Sequence, residues 1–214
     1  MNCEQLPDVL SYNVVGEIKG TQFPGEIITV GGHLDCWDLA EGAHDDGSGC
    51  VQSIQVIRTI KSLGIETKRT IRAVMFMNEE NGLRGAEKYA ELATVNKENH
   101  IFAMESDAGG FGPVTLGIDG KPGQEEKLRS WLILFKPYGV YEIPGGGGGA
   151  DIGPLKKYGA VMCGVNPNSQ RYFDYHHAPN DIFEAVNKRE LELGAINMTA
   201  IIYLVSKYGL TPNP

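Results

Sequence analysis

The 214-residue chain holds no apolar run near the roughly 18 residues that a membrane-spanning helix needs. It has no basic excess either: 19 Lys and Arg stand against 27 Asp and Glu, for a net charge of −8. That balance argues against a nucleic-acid partner, whose phosphates call for clustered cations. No acidic run exceeds a few residues, so the charge describes a soluble acidic surface rather than an interaction tail. The four cysteines (Cys3, Cys36, Cys50 and Cys163) show no CxxC spacing, which argues against a thiolate zinc site. The N-terminus, MNCEQLPDVL, lacks the basic start and apolar core of a signal peptide. No internal repeat and no linker divides the chain, and a single domain over residues 1–214 is expected. The run Gly145–Gly149 has no Rossmann strand ahead of it, which sets a dinucleotide site aside. It reads instead as a loop lining a substrate cleft, with Asp151 beside it.

What is present is an alternation of strand and helix patterns, and the 42% apolar content is ample for a core. SYNVVGEIKG (11–20) and EIITV (26–30) read as strands joined in a hairpin through QFPG. A helix is expected from Ser48, as its N-cap, to Leu63, with Val51, Ile54, Ile57, Ile60 and Leu63 at three-residue spacing. TIRAVMFM (70–77) suits a strand buried on both faces, followed by a helix over 83–94 and a strand at IFAME (101–105). Helices are expected at 124–135, 151–158 and 187–208, and a strand at 160–164. Such alternation predicts an α/β sandwich, its sheet mainly parallel with an antiparallel opening hairpin.

The chemistry-bearing residues collect where such a sheet forms its sites, after the carboxyl ends of strands. EIITV is followed by His33 and Asp35, TIRAVMFM by Glu79 and Glu80, and IFAME by Asp107. GAHDDGSG places Asp45 and Asp46 at a helix start, and YHHAPND adds His176 and His177. Any one of these has a structural explanation as a turn, a cap or a buried polar group. Their joint placement after three successive strands points to a site. Two His and three carboxylates suit zinc better than magnesium. Two ions about 3.5–4 Å apart would need one bridging carboxylate. The Glu79–Glu80 pair offers one ligand and one unbound carboxylate able to take a proton from water.

Five segments, GGHLDCWD, GAHDDGSG, NEENG, MESDAGGF and YHHAPND, occur together in this order. In them the chain resembles the co-catalytic zinc aminopeptidase family, and within it the carboxypeptidase Q branch. The resemblance spans about Tyr12 to the C-terminus. It implies a three-layer α/β/α sandwich of the phosphorylase/hydrolase-like kind, with a mixed, mainly parallel sheet. It further implies two zinc ions. His33 and Asp107 would hold one, Glu80 and His177 the other, and Asp45 would bridge, standing first in D-x-G-S-G. Asp46 would support. His177 is the ligand of the pair by its spacing to Asp181, and His176 stands where many relatives carry Tyr. Glu79 would be the general base, and Asp35 would accept a hydrogen bond from the far nitrogen of His33.

The activity so implied is exopeptidase hydrolysis of short peptides or dipeptides, with a homodimer compatible with the pattern. Family members act mostly outside the cytoplasm, secreted or periplasmic. Arg171 is a candidate for a substrate carboxylate, and Trp37 and Phe111 are candidate cleft walls. Two other readings share the fold: a single-zinc acyl transferase of the glutaminyl cyclase type, and an inactive binding module. Those cyclases depart at the first His, so His33 argues against the former. His33 together with Glu79 argues against the latter.

Overall fold

The computed structural model describes residue 4 and residues 6–210, so Cys3 lies outside the described residues. Strands β1 (Val14–Ile18), β2 (Phe23–His33), β3 (Arg69–Phe76), β4 (Asn99–Glu105), β5 (Pro113–Asp119) and β6 (Val161–Pro167) form one sheet in the order β1-β3-β2-β4-β6-β5. The four inner strands are parallel, and β1 and β5 close the two edges antiparallel. Helices α1 (Ser48–Ser62), α2 (Arg84–Val95), α3 (Pro122–Ser130), α4 (Leu132–Phe135), α5 (Ser169–Tyr172) and α6 (Lys188–Tyr208) connect and cover it.

Period-2 alternation along the strands sorts the core into two faces. Ile28 and Val30 of β2, Ile71, Ala73 and Met75 of β3, and Phe102 and Met104 of β4 pack with Val56 and Ile60 of α1 and Met198, Ile202 and Val205 of α6. Their neighbours Val74, Phe76 and Ala103 face the other way, onto Ala86 and Ala90 of α2 and Leu155. The result is a three-layer α/β/α sandwich. Among the described residues no helix is long and apolar enough to cross a membrane.

The expected opening hairpin does not form. β3 lies between β1 and β2, antiparallel to the first and parallel to the second. The connection instead wraps the incoming end of β3, where Thr21 N–H donates to Thr67 O and Phe23 N–H to Lys68 O. Strand β5 was not expected from the sequence; Pro113 at its start and Gly117 within it break the strand pattern. The helix expected over 124–135 is divided at Trp131 into α3 and α4.

Helix α1 begins at Ser48 with Gly47 as its cap, and Ser48 Oγ donates back to His44 O. It buries Cys50, Gln52, Ser53, Val56 and Ile60, whereas Val51, Ile54 and Leu63 are exposed. At the β1 edge of the sheet, Val14 and Val15 are also exposed, and among the described residues no strand pairs with the outer edge of β1.

Candidate metal centre

Three parallel strands end side by side and deliver the site. β2 ends on His33, β3 is followed by Asn78-Glu79-Glu80, and β4 by Asp107. Asp45 comes from the turn at Ala43–Gly47 that leads into α1, where the helix dipole favours a carboxylate. His177 follows α5 and adopts a left-handed backbone, φ 57°. The tight entry to α1 depends on Gly49: a Cβ there would lie 1.8 Å from Ser106 O.

These side chains form two groups that share Asp45. His33 Nε2 lies 3.2 Å from Asp45 Oδ1 and 3.4 Å from Asp107 Oδ1. His177 Nε2 lies 3.2 Å from Asp45 Oδ2 and 2.9 Å from Glu80 Oε2. Each oxygen of Asp45 thus faces a different group. His176 stacks on His177 with ring centroids 3.6 Å apart, and its Nε2 is 3.7 Å from Asp45 Oδ2. Ligating atoms of His33, Asp45 and Asp107 lie within 4.8 Å of one another, as do those of Asp45, His176 and His177. Glu79 Oε2 stands 4.0 Å from His33 Nε2 without joining either group.

The donor set fits a cation. His33 Nε2, Asp45 Oδ2, Glu80 Oε1 and Asp107 Oδ1 are buried and have no hydrogen-bond partner among the described residues, a costly state for polar atoms unless a ligand completes them. The electrostatics agree. Burial disfavours protonation of His33, but the adjacent Asp107 and Asp45 carboxylates outweigh it and push the imidazole well up. Burial and the neighbouring Asp45 raise Glu80. Glu79 is raised by burial, against His33 and with Asp107. A site that draws protons onto its imidazole and carboxylates has an excess of negative charge, which a divalent ion would neutralise.

Asp35 differs from expectation in its partner. His33 Nδ1 donates to the backbone carbonyl of Asp35 at 2.9 Å, and the Asp35 carboxylate is 3.8 Å away. That carboxylate instead accepts the backbone N–H groups of Asn78 and Glu79 on Oδ1 and of Glu80 on Oδ2. Three converging N–H donors on adjacent residues outcompete one imidazole. The bond to the carbonyl takes up Nδ1–H, so the neutral imidazole would offer its Nε2 lone pair to a cation beside Asp45. Asp46 accepts from His33 N–H and Gly49 N–H. Burial and the nearby Asp107 push its carboxyl up.

Other candidates fall in different places. Arg171 pairs with Glu190 at 2.7 Å and lies over the Phe111 ring. Phe111 is buried and stacked on His44. Trp37 is exposed and donates from Nε1 to Glu80 Oε2 at 2.7 Å. Asp151 is buried behind the site and pushed up to about 7, chiefly by burial. The glycine run packs on the sheet: a Cβ on Gly149 would lie 2.2 Å from the Glu105 carboxylate.

Three contributors were not singled out from sequence. Asp181, noted above only for its spacing, is buried and accepts from the backbone N–H of His44 and Asp45. His44 accepts on Nδ1 from Gly110 N–H, joining the Asp45 turn to the Asp107 loop. Tyr172 has a phenol pushed far up by burial and by Asp107 and Asp45. The short spacing from His177 to Asp181 was the one available signal.

The chain was compared with known proteins. The family model described as Peptidase family M28 matches residues 13–202. Carboxypeptidase Q of Pongo abelii is 34% identical over 206 residues, covering 96% of this chain and 44% of the relative. The chain therefore spans under half the length of the relative it matches. Among solved structures, a peptidase M28 precursor from Shewanella amazonensis is 31% identical with a TM-score of 0.87, covering 95% of this chain and 47% of that one. A zinc aminopeptidase from Bacillus subtilis shares the fold at 22% identity, with a TM-score of 0.72 and coverage of 90% and 50%. With five motifs in order, the ligand groups assembled at one sheet edge and this breadth of match, the chain belongs to peptidase family M28.

Proposed function

We propose that the chain is the catalytic domain of a zinc-dependent metallo-exopeptidase acting on dipeptides or short peptides. The observation that carries this reading is Asp45, whose Oδ1 faces His33 and whose Oδ2 faces His177. A carboxylate offering one oxygen to each of two ligand groups is the bridge a dinuclear site needs. On this reading His33, Asp107 and Asp45 hold one zinc ion, and Glu80, His177 and Asp45 hold the other. Imidazole and carboxylate together favour zinc over magnesium. The zinc-aminopeptidase and carboxypeptidase Q names among the similar proteins support the same choice.

When bound, the ions supply Lewis acidity toward the scissile carbonyl and lower the pKa of a water. The chain's own residues do the rest. Glu79 is part-buried, binds in neither ligand group and has its carboxyl raised by burial, which suits a general base. Having taken the proton from water, it returns it to the leaving amine. Asp35, through three backbone N–H bonds, holds Glu79 and Glu80 in fixed register. Trp37 restrains the Glu80 carboxylate and walls the site beside His177, its ring centroid 5.2 Å from that imidazole.

The test combines metal analysis with a dipeptide panel, with and without chelator. The expected result is two zinc ions per chain and hydrolysis that chelator abolishes and zinc restores. Hydrolysis unaffected by metal removal would overturn the reading. Cyclisation of an N-terminal Gln peptide with no dipeptide hydrolysis would favour the acyl-transferase alternative.

A further inference from the structure

Two loops far apart in sequence, 41–45 and 178–183, are stapled at four points. Glu41 N–H donates to Asp181 O at 3.0 Å and Phe183 N–H to Glu41 Oε2 at 2.9 Å. Between these, the Asp181 carboxylate accepts His44 N–H on Oδ1 at 2.7 Å and Asp45 N–H on Oδ2 at 3.0 Å. Asp181 is 1% exposed. A buried carboxylate is costly unless donors meet its oxygens, and here one backbone N–H donates to each of them.

Asp181 sits four residues after His177, on the same loop. Its backbone and side chain therefore link the residue that faces both ligand groups to the loop that carries the last ligand. Among the described residues no side chain hydrogen-bonds Asp45 Oδ2, so the aim of that oxygen is set from the backbone side. On the dinuclear reading proposed above, we infer that Asp181 is a positioning residue that fixes Asp45 and thereby sets zinc affinity at both positions.

Asp181→Asn tests this with minimal change of shape. An amide has one acceptor oxygen, so one of the two N–H groups would face an NH2 donor. Zinc titrated into chelator-stripped protein should reach two ions on the wild type. On Asp181→Asn it should bind about 10–100-fold more weakly at both positions, the usual cost of losing a support behind a ligand. The zinc-induced rise in Tm should shrink by more than the metal-free Tm falls. Glu41→Gln, which touches the same staple but not Asp45, should leave zinc affinity unchanged.

Two ions bound to Asp181→Asn as tightly as to the wild type would overturn the inference alone. So would equal losses in Asp181→Asn and Glu41→Gln, which would assign the effect to the loops in general. A wild type that takes up fewer than two ions would overturn the dinuclear reading and the inference with it. Amide exchange in metal-free wild type needs no variant. The His44 and Asp45 amides should be protected, and exchange at the rate of unbonded loop amides would overturn the inference.

Discussion

Replacing Asp45 by Asn preserves its volume but turns one metal-facing oxygen into an amide nitrogen. Each oxygen faces a different group, so on the dinuclear reading proposed above the expected outcome is loss of both zinc ions rather than one, measured as metal per chain after dialysis. His176→Ala separates the adjacent imidazoles: if Glu80 and His177 complete the second position, metal content stays at two. Glu79→Gln should retain both ions and lose about 10²–10⁴ in kcat on a dipeptide. Retained metal with unchanged kcat would remove Glu79 from the proton chemistry. At this scale the candidate ligands were readable because acids and imidazoles followed three successive strand patterns. Asp35 and Asp46 were named as supports behind them, but the partners of these supports were not readable. Asp35, Asp46 and Asp181 act on backbone N–H groups, and those partners are set by how loops fold around one another.

Helix α1 shows where periodicity misleads. Val51, Ile54 and Leu63, three of the apolar positions whose spacing marked the helix, are exposed, and Gln52 and Ser53 are buried instead. Gln52 packs where Gly194 of α6 leaves room, a Cβ there lying 2.1 Å from its Nε2, and it donates to Leu191 O. A buried polar contact with α6 outweighs the apolar stripe. Of the apolar positions in that spacing, Ile60 is fully buried, and Ile60→Ala should cost about 2–5 kcal/mol in urea unfolding.

Between β3 and β4 a polar network gives a pH signature. Glu98 lies 2.8 Å from Arg72 Nη1 and 3.1 Å from His100 Nε2, and Thr29 Oγ1 is 2.8 Å from His100 Nδ1. Burial raises the Glu98 carboxyl, but Arg72 and His100 outweigh it and hold it below the usual range. Its stabilising contribution is therefore present above the ordinary Glu range and lost as pH falls through the folded value. His100, lowered chiefly by burial, adds the same sign, since the unfolded chain binds its proton more readily. The stability gap between wild type and Glu98→Gln should shrink from pH 7 to pH 4 in urea titrations. A constant gap would remove Glu98 from the network.

At the scale of the whole molecule, the proposed metal site would link metal to fold, because its residues come from β2, from the segments after β3 and β4, from the turn before α1 and from the loop after α5. Ligand binding to the folded state alone adds about 2.7 kcal/mol per ion at a free concentration of 100 Kd. Chelation should therefore lower Tm, and restored zinc should recover it. The α/β alternation made the layers legible from sequence, but not the order of strands in the sheet. A short turn between SYNVVGEIKG and EIITV is compatible both with a hairpin and with a crossing around β3. Only the long-range pairing of Val14 with Met75 and of Ile28 with Ile71 decides it. That pairing leaves β1 outermost, with Val14 and Val15 exposed beside an unpaired row of amides. Such an edge is a template on which another extended chain can nucleate, and no charge at either valine guards it. Concentrated solutions should thus lose protein to sheet-rich aggregates through this border, and Val15→Lys should slow that loss while leaving Tm unchanged.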